Sequence, residues 1–285
     1  MKKILVTGAT GFIGGYVIKE LLEQNASVIA TSSNKAKASV QDWFNSVSYI
    51  AFDFNKINDA DDYYSYFDKP DAMVHLAWEG LPNYKSSFHM EKNLPRHIAF
   101  LKNLIKNGLK DITVTGTCFE YGMQEGILQE DMETIPVTPY GLAKDNLRKN
   151  LQELQKEYNF SMKWLRLFYM YGKGQNPNSL LSQLENSLAK GEEVFNMSGG
   201  EQVRDFMPVE EAATAIVKVI LQNGVTGIIN CSSGKPVKVK DFVTSYLEQK
   251  NKDIKLNLGH YPYPDFEPMS FWGDNSKLKK IINND

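Results

Sequence analysis

The 285 residues can hold one large domain or two modest ones, with a sizeable core and no need of disulfide staples. Hydrophobic residues make up 42% and charged residues 23%, as in a soluble globular enzyme. The formal charge of −2, with lysine and arginine spread along the chain, excludes a basic nucleic-acid footprint and polybasic membrane docking.

Residues 3–7 (KILVT) predict a buried strand that runs into a glycine-rich turn. Residues 12–24 predict a helix, with Ile13, Val17, Ile18, Leu21 and Leu22 on one face. Short β-like runs follow at 26–31, 47–52, 73–77 and 112–115, with a helix at 92–107 before the last of them. The pattern continues through helix 140–157, strand 163–168 and helices 179–190 and 209–222. A run at 228–231, a helix near 239–249 and the segment YPYPDFEPMSFW close the chain. Strands alternating with helices imply crossover units, hence an α/β fold with a doubly wound parallel sheet. The expected division is a dinucleotide-binding domain over 1–170, to which 202–224 returns. A smaller C-terminal lobe binds substrate and is built from 171–201 and 225–285.

No run reaches the apolar length of a membrane span. The start, MKKILVTGATGFIG, has the basic-then-apolar order of a signal peptide, but glycines break the run and no small-residue cleavage pattern follows. A cytoplasmic protein is expected. Cys118 and Cys231 are too few for a disulfide framework, and His75, His89, His97 and His260 form no ligand set, so no metal is expected.

Between the first strand and first helix stands Thr7-Gly8-Ala9-Thr10-Gly11-Phe12-Ile13-Gly14. Three glycines at intervals of three allow a tight turn, close approach of a pyrophosphate to bare backbone, and close helix–strand packing. The helix start then offers unpaired N–H groups to phosphate. In this strand–turn–helix setting the motif points to NAD or NADP. An acidic residue closing the second strand would bind the adenosine ribose and repel a 2′-phosphate. Here Ser32, Ser33 and Lys35 stand there instead, which favours NADP. Asp53, followed by Phe54, is placed to accept from the adenine amino group or, equally, to cap a helix.

Tyr140 and Lys144 in Tyr140-Gly141-Leu142-Ala143-Lys144 share a helix face, and Pro139 suits the helix start. A nearby ammonium favours phenolate, which would let Tyr140 exchange a proton with a carbonyl or hydroxyl oxygen near neutral pH. Alone, this spacing describes a surface helix pair more often than a site. Upstream, Thr115-Gly116-Thr117-Cys118-Phe119-Glu120-Tyr121-Gly122 puts hydroxyls at the end of the fifth strand, where such sheets present chemistry.

Together TGATGFIG, His75-Leu76-Ala77, Asn93, TGTCFEYG, YGLAK and GGEQVRDF resemble the extended short-chain dehydrogenases of the NAD-dependent epimerase/dehydratase family. That resemblance implies a Rossmann-type enzyme acting on nucleotide-activated sugars. It makes Thr117 the catalytic hydroxyl, Tyr140 the acid/base, and Lys144 the group that holds the nicotinamide ribose. It implies that Leu76, Ala77, Trp78, Asn93, Thr115 and Phe168 line the cofactor with the glycine turn. Arg204 is similar to the arginine that grips substrate phosphates, although a surface pair with Asp205 or Glu201 would also account for it. Asn178, Ser179, Trp78, Phe119 and Glu267 are the remaining substrate candidates. For Glu267 and Trp272, core packing is an equal reading. A homodimer packed through 92–107 and 140–157 is the family's usual assembly.

Family dehydratases carry Asp-Glu directly after the catalytic threonine. Cys118 and Phe119 stand here, which argues against dehydration. Cys118 has no histidine nearby in sequence and reads as a buried small residue rather than a nucleophile. What remains is NADPH-dependent reduction of a 4-keto-6-deoxyhexose, as in similar bacterial reductases of surface-polysaccharide (lipopolysaccharide) pathways. The alternatives are a 4-epimerase with tightly bound NAD and a non-catalytic NAD(P)-sensing module.

Overall fold

The computed structural model describes residues 1–283. Five strands, β1 (Lys3–Thr7), β2 (Ser27–Ser32), β3 (Ser48–Ala51), β4 (Ala72–His75) and β5 (Asp111–Thr117), join two later ones in one sheet. Its order is Gly227–Cys231, Ser161–Leu167, β5, β4, β1, β2, β3, and every pairing is parallel. From β1 the chain winds outward to β3, then returns to β4 on the other side. The crevice at the carboxyl ends of β1 and β4 is therefore a topological switch point, where ligands of such sheets bind.

Alternation along β1 shows how the sequence covers both faces. Ile4 and Val6 pack with Val17, Ile18 and Leu21 of helix Gly14–Glu23 and with Ile216 and Ile220 of helix Val209–Leu221. Leu5 points the other way, into a cluster with Phe100, Leu101 and Leu104 of helix Leu94–Lys106 and Leu147 and Leu151 of helix Pro139–Glu157. Burial on both faces is why these strands read as continuous apolar runs rather than alternating ones.

The smaller lobe has its own core of Leu181, Leu184, Phe195, Met197, Val243, Leu247 and Ile254. Strand Val203–Pro208 pairs parallel with Tyr169–Tyr171 and antiparallel with Pro236–Lys238. Phe206 stacks on Phe242 with ring centroids 3.8 Å apart. The expected division needs correction at three places. Gly227–Cys231 extends the main sheet beside Ser161–Leu167, and Leu278 and Ile281 of the last helix pack into the main core. Both belong to the sheet domain although they follow residue 225, because their apolar faces are covered there. Strand Val203–Pro208, expected with the sheet domain, pairs within the lobe instead. No helix of the described residues is long and apolar enough to cross a membrane.

Candidate active site

The glycine turn closes as its spacing demands. Gly8 has φ +70°, and a Cβ there would lie 2.9 Å from the Ala77 nitrogen. A Cβ on Gly14 would meet the Gly8 carbonyl oxygen at 2.3 Å. The Gly11 N–H donates to that same oxygen at 2.9 Å. The loop after β4 thus presses against the turn, and the Ala77 N–H donates to Thr7 Oγ1 at 3.3 Å. Helix Gly14–Glu23 begins after Ile13, whose apolar side chain cannot cap it. Its first N–H groups and positive dipole end therefore face the crevice beside Thr10, Gly11 and Phe12. This bare, uncapped turn fits the pyrophosphate of a dinucleotide.

At the end of β2, Ser32 is already engaged. The Tyr49 hydroxyl donates to the Ser32 carbonyl at 2.9 Å and lies 2.9 Å from the Ser32 hydroxyl. Ser33 and Lys35 are exposed, and Asn34 caps the short helix by accepting from the Lys37 N–H. Asp53 takes the capping geometry too: its Oδ1 accepts from the Asn55 backbone and side chain at 2.9 and 2.8 Å. The Asn55 N–H bond is the main cause holding that carboxyl below its usual range. Phe54 packs on His97, centroids 4.7 Å apart.

Thr117, Tyr140 and Lys144 converge at the end of β5. Thr138 caps helix Pro139–Glu157 by accepting from the Gly141 N–H at 3.1 Å, which fixes Tyr140 in the first turn. The Tyr140 N–H donates to the Tyr84 carbonyl at 3.1 Å. Thr117 ends β5 in a capping box: its hydroxyl accepts from the Phe119 N–H, and its own N–H donates to Glu120 at 2.9 Å. The Thr117 hydroxyl is near enough to the Tyr140 phenol to favour phenolate. Lys144 Nζ donates to the Thr115 carbonyl at 2.8 Å and lies 4.1 Å from the Trp78 ring centroid.

One electrostatic expectation is corrected. Burial pushes the Tyr140 phenol up, Tyr84 adds to that, and the Thr117 hydroxyl only partly opposes it. Lys144 is not among the largest influences on the phenol. Burial instead pulls the Lys144 ammonium down to about 7. Both groups lose water, and desolvation outweighs their mutual effect.

Glu120 fixes this turn from beneath. Fully buried, it accepts from Trp164 Nε1 and Arg166 Nε, both at 2.9 Å, and faces Arg148 at 3.6 Å. On β4, His75 accepts from or donates to Thr7 Oγ1 and His97, each 2.8 Å away. Burial pushes His75 down to about 3 and His97 well below its usual range, so both are neutral at pH 7. Asn93 is buried and donates to the Glu79 carbonyl at 2.8 Å, bracing the loop that carries Leu76, Ala77 and Trp78. The Thr115 hydroxyl donates to the His75 carbonyl, so its backbone, not its side chain, serves the site. Phe168 lies in an apolar cluster with Cys118, Tyr121 and Phe271.

On the substrate side, Arg204 and Glu267 form a buried pair at 2.9 Å, where surface pairs with Asp205 or Glu201 were the competing reading. Arg204 also donates to the Val203 and Met269 carbonyls. Asp205 instead accepts from Ser233 and Gly234, and Glu201 pairs with Lys238 and Lys240. Phe119 stands in a wall of rings with Tyr84 and Phe266, at 4.8 and 6.1 Å, beside Tyr140. Burial, then Glu267, pushes the Tyr84 phenol up to about 12. Cys118 is buried and pushed up as well, so it is a thiol and no nucleophile. Asn178 and Ser179 precede helix Leu180–Ala189, and no hydrogen bond joins them to Tyr140 or Arg204. Tyr84, His89, Phe266 and Glu120 escaped the sequence reading. The first three sit in or beside irregular loops with no periodicity to single them out. Glu120 resembles any turn acid until its two arginines are seen in space.

The model of the NAD dependent epimerase/dehydratase family matches residues 4–232. The chain belongs to that family. It is accordingly an NAD(P)-dependent enzyme of the oxidoreductase and epimerase kind. The dTDP-6-deoxy-L-talose 4-dehydrogenase (NAD(+)) of Aggregatibacter actinomycetemcomitans is 28% identical over 275 residues, 95% of this chain and 98% of its own. The dTDP-4-dehydro-6-deoxyglucose reductase of Escherichia coli is 24% identical, over 90% of this chain and 84% of its own. The solved UDP-N-acetylglucosamine 4-epimerase of Methanobrevibacter ruminantium M1 superposes with a TM-score of 0.85 at 22% identity, covering 98% of this family member and 91% of that chain. That likeness establishes the Rossmann-type fold.

Proposed function

We propose that this enzyme reduces the 4-keto group of a nucleotide-activated 6-deoxyhexose with a nicotinamide cofactor, NADPH in preference to NADH. The supporting observation is the meeting of Thr117 and Tyr140 under an apolar wall of Tyr84, Phe119 and Phe266. A methyl group at C6 suits that wall, which offers no carboxylate for removing water. Cys118 and Phe119 occupy the positions where dehydratases of the family place Asp and Glu. Two relatives named for 6-deoxyhexose 4-oxidoreduction, one of them nearly coextensive with this chain and named for NAD(+), support the reaction at C4 but not the choice of NADPH.

The glycine turn, the Leu76–Trp78 loop and Lys144 would hold the dinucleotide, which supplies the hydride. Thr117 orients the C4 oxygen, and Tyr140 gives it a proton as it becomes a hydroxyl. Tyr140, pushed up by burial, is a protonated phenol at neutral pH, the form a reduction needs. Arg204, released from Glu267, would bind the substrate phosphates with its guanidinium fork. The exposed Ser33 and Lys35, with no carboxylate closing β2, support NADPH. A homodimer through helices Leu94–Lys106 and Pro139–Glu157 belongs to the same reading; their outer faces carry Lys102, Leu142, Lys149 and Glu153.

The test is to mix enzyme with NADPH or NADH and a panel of 4-keto-6-deoxy nucleotide sugars, following loss of reduced-cofactor absorbance. Oxidation of NADPH in proportion to sugar supports the reading. Interconversion of an ordinary UDP-hexose with its 4-epimer without added cofactor would make the chain an epimerase instead.

A further inference from the structure

We propose that the indole face of Trp78 is the seat of the Lys144 ammonium and keeps it charged beside the reacting centre. This assigns Trp78 a positioning role through Lys144, beyond lining a ligand, and it rests on the part given to Lys144 above.

An ammonium has three donors. Buried Lys144 forms one hydrogen bond, to the Thr115 carbonyl at 2.8 Å. Its other close partner is a π-face: Nζ stands 4.1 Å from the Trp78 centroid, well inside the range of a cation–π contact. The groups around the ammonium do little else for it. Glu120 is the one carboxylate that supports it, but the oxygens of Glu120 are taken by the Thr117 N–H, Trp164 and Arg166. His75, His89 and His97 are each pushed toward the neutral form, burial being the main cause. Tyr140 and Thr117 complete the surroundings as uncharged hydroxyls. Without the indole, a desolvated cation would keep one carbonyl and a distant acid.

The ring is held for this task. Trp78 Nε1 donates to His89 Nδ1 at 3.1 Å, and His89 Nε2 therefore carries the proton it gives to the Asn83 carbonyl at 2.9 Å. The His97 ring stacks on the indole at 4.7 Å and 18°, with Phe54 packed on His97 beyond it. Tyr140 meets the same indole edge-on at 6.2 Å, so one ring touches both the phenol and the ammonium.

The experiment reads Lys144 directly. Lysine labelled with ¹³C at Cε is titrated by NMR in the full-length enzyme, with Lys144→Met to assign the signal. Wild type, Trp78→Phe and Trp78→Leu are compared. The midpoint should fall by about one pH unit or more in the leucine variant and by less in the phenylalanine variant, which keeps a weaker π-face. Trp78→Met fills similar space without a ring and serves if the leucine variant fails to fold. A midpoint equal to wild type in a folded variant lacking the ring overturns the proposal. The alkaline limb of kcat/KM should move with the midpoint. If the midpoint moves while no 4-keto sugar is reduced, the seat stands and the proposed reaction falls.

Discussion

Lys144 donates to the Thr115 carbonyl, two residues before Thr117 on β5, and so ties the helix carrying the Tyr140 phenol to the strand carrying the Thr117 hydroxyl. The relative placement of Thr117 and Tyr140 is thus set by the protein before any ligand arrives, which is what acid catalysis at one oxygen requires. Tyr140→Phe removes the proton and little else. Turnover should fall by about 10²–10⁴-fold, with the cofactor Kd changed less than about threefold. Steady-state rates and cofactor fluorescence titration check both halves. Retained turnover would take the acid role away from Tyr140.

Gly14 shows that a glycine can be obligatory without unusual backbone angles. A Cβ there would stand 2.3 Å from the Gly8 oxygen and 2.7 Å from the Ala9 oxygen, both backbone atoms that cannot swing aside. Gly14→Ala should force the turn open and destabilise the fold by about 1–3 kcal/mol. Cofactor affinity should fall at least about tenfold, because the turn and the helix start no longer converge on the pyrophosphate. Urea denaturation and cofactor titration of the same preparation measure the two effects.

Glu120 is a buried carboxylate shared by Arg166, Trp164 and the Thr117 backbone. Glu120→Gln leaves Arg166 buried without its counter-charge, and such half-broken pairs cost about 3–5 kcal/mol. The loss in denaturation free energy should be accompanied by slower turnover, since an amide leaves one acceptor oxygen for the Thr117 N–H, Trp164 and Arg166 to share. Near-wild-type stability would mean that water or Glu130, whose carbonyl already accepts from Arg166, replaces the lost group.

The sheet was legible because its strands are buried on both faces and its helices are long and periodic, so helix 239–249 and strand 3–7 were read at their observed bounds. The glycine turn and the Thr117–Tyr140–Lys144 set were legible for a different reason: their chemistry depends on fixed local spacing. What spacing does not encode is which distant residues meet. Three-residue strands such as Tyr169–Tyr171 and Val194–Asn196 are too short to show a period. Arg204 and Glu267 were both singled out, but their separation of 63 positions hid their pairing. Burial also reversed the expected direction of the Tyr140 shift, because sequence gives the neighbour in the chain and not the water that is lost.

His75 and His97 give the enzyme an acid-sensitive core. Each titrates lower in the folded chain than the ordinary value of 6.5, His75 near 3. Below pH 6.5 the unfolded chain therefore binds more protons, and stability falls as pH drops from 6.5 toward 3. The slope should be roughly 1.4 kcal/mol per pH unit for each histidine once both are protonated in the unfolded state. Urea midpoints measured between pH about 7 and about 5 should drop for wild type. His97→Phe should be weaker at pH 7, having left His75 Nε2 without a partner, yet lose less on acidification. A variant as acid-sensitive as wild type would place the sensitivity elsewhere.

Cofactor choice can be turned by one exposed position. Ser33 follows β2 with Lys35 nearby, and Ser32 is already committed to Tyr49, so Ser33 is the hydroxyl open to a 2′-phosphate. An aspartate at Ser33 would repel that phosphate and accept from the 2′-hydroxyl of NADH instead. Ser33→Asp should lower the ratio of kcat/KM for NADPH over NADH by at least about tenfold, since one tenfold step needs only about 1.4 kcal/mol of differential binding. The ratio is the informative quantity, because a fall in both values together would report damage to the turn at Asn34. Wild-type preference for NADH with no change in Ser33→Asp would show that the residues after β2 do not read the ribose, and that the NADPH preference drawn from them is wrong.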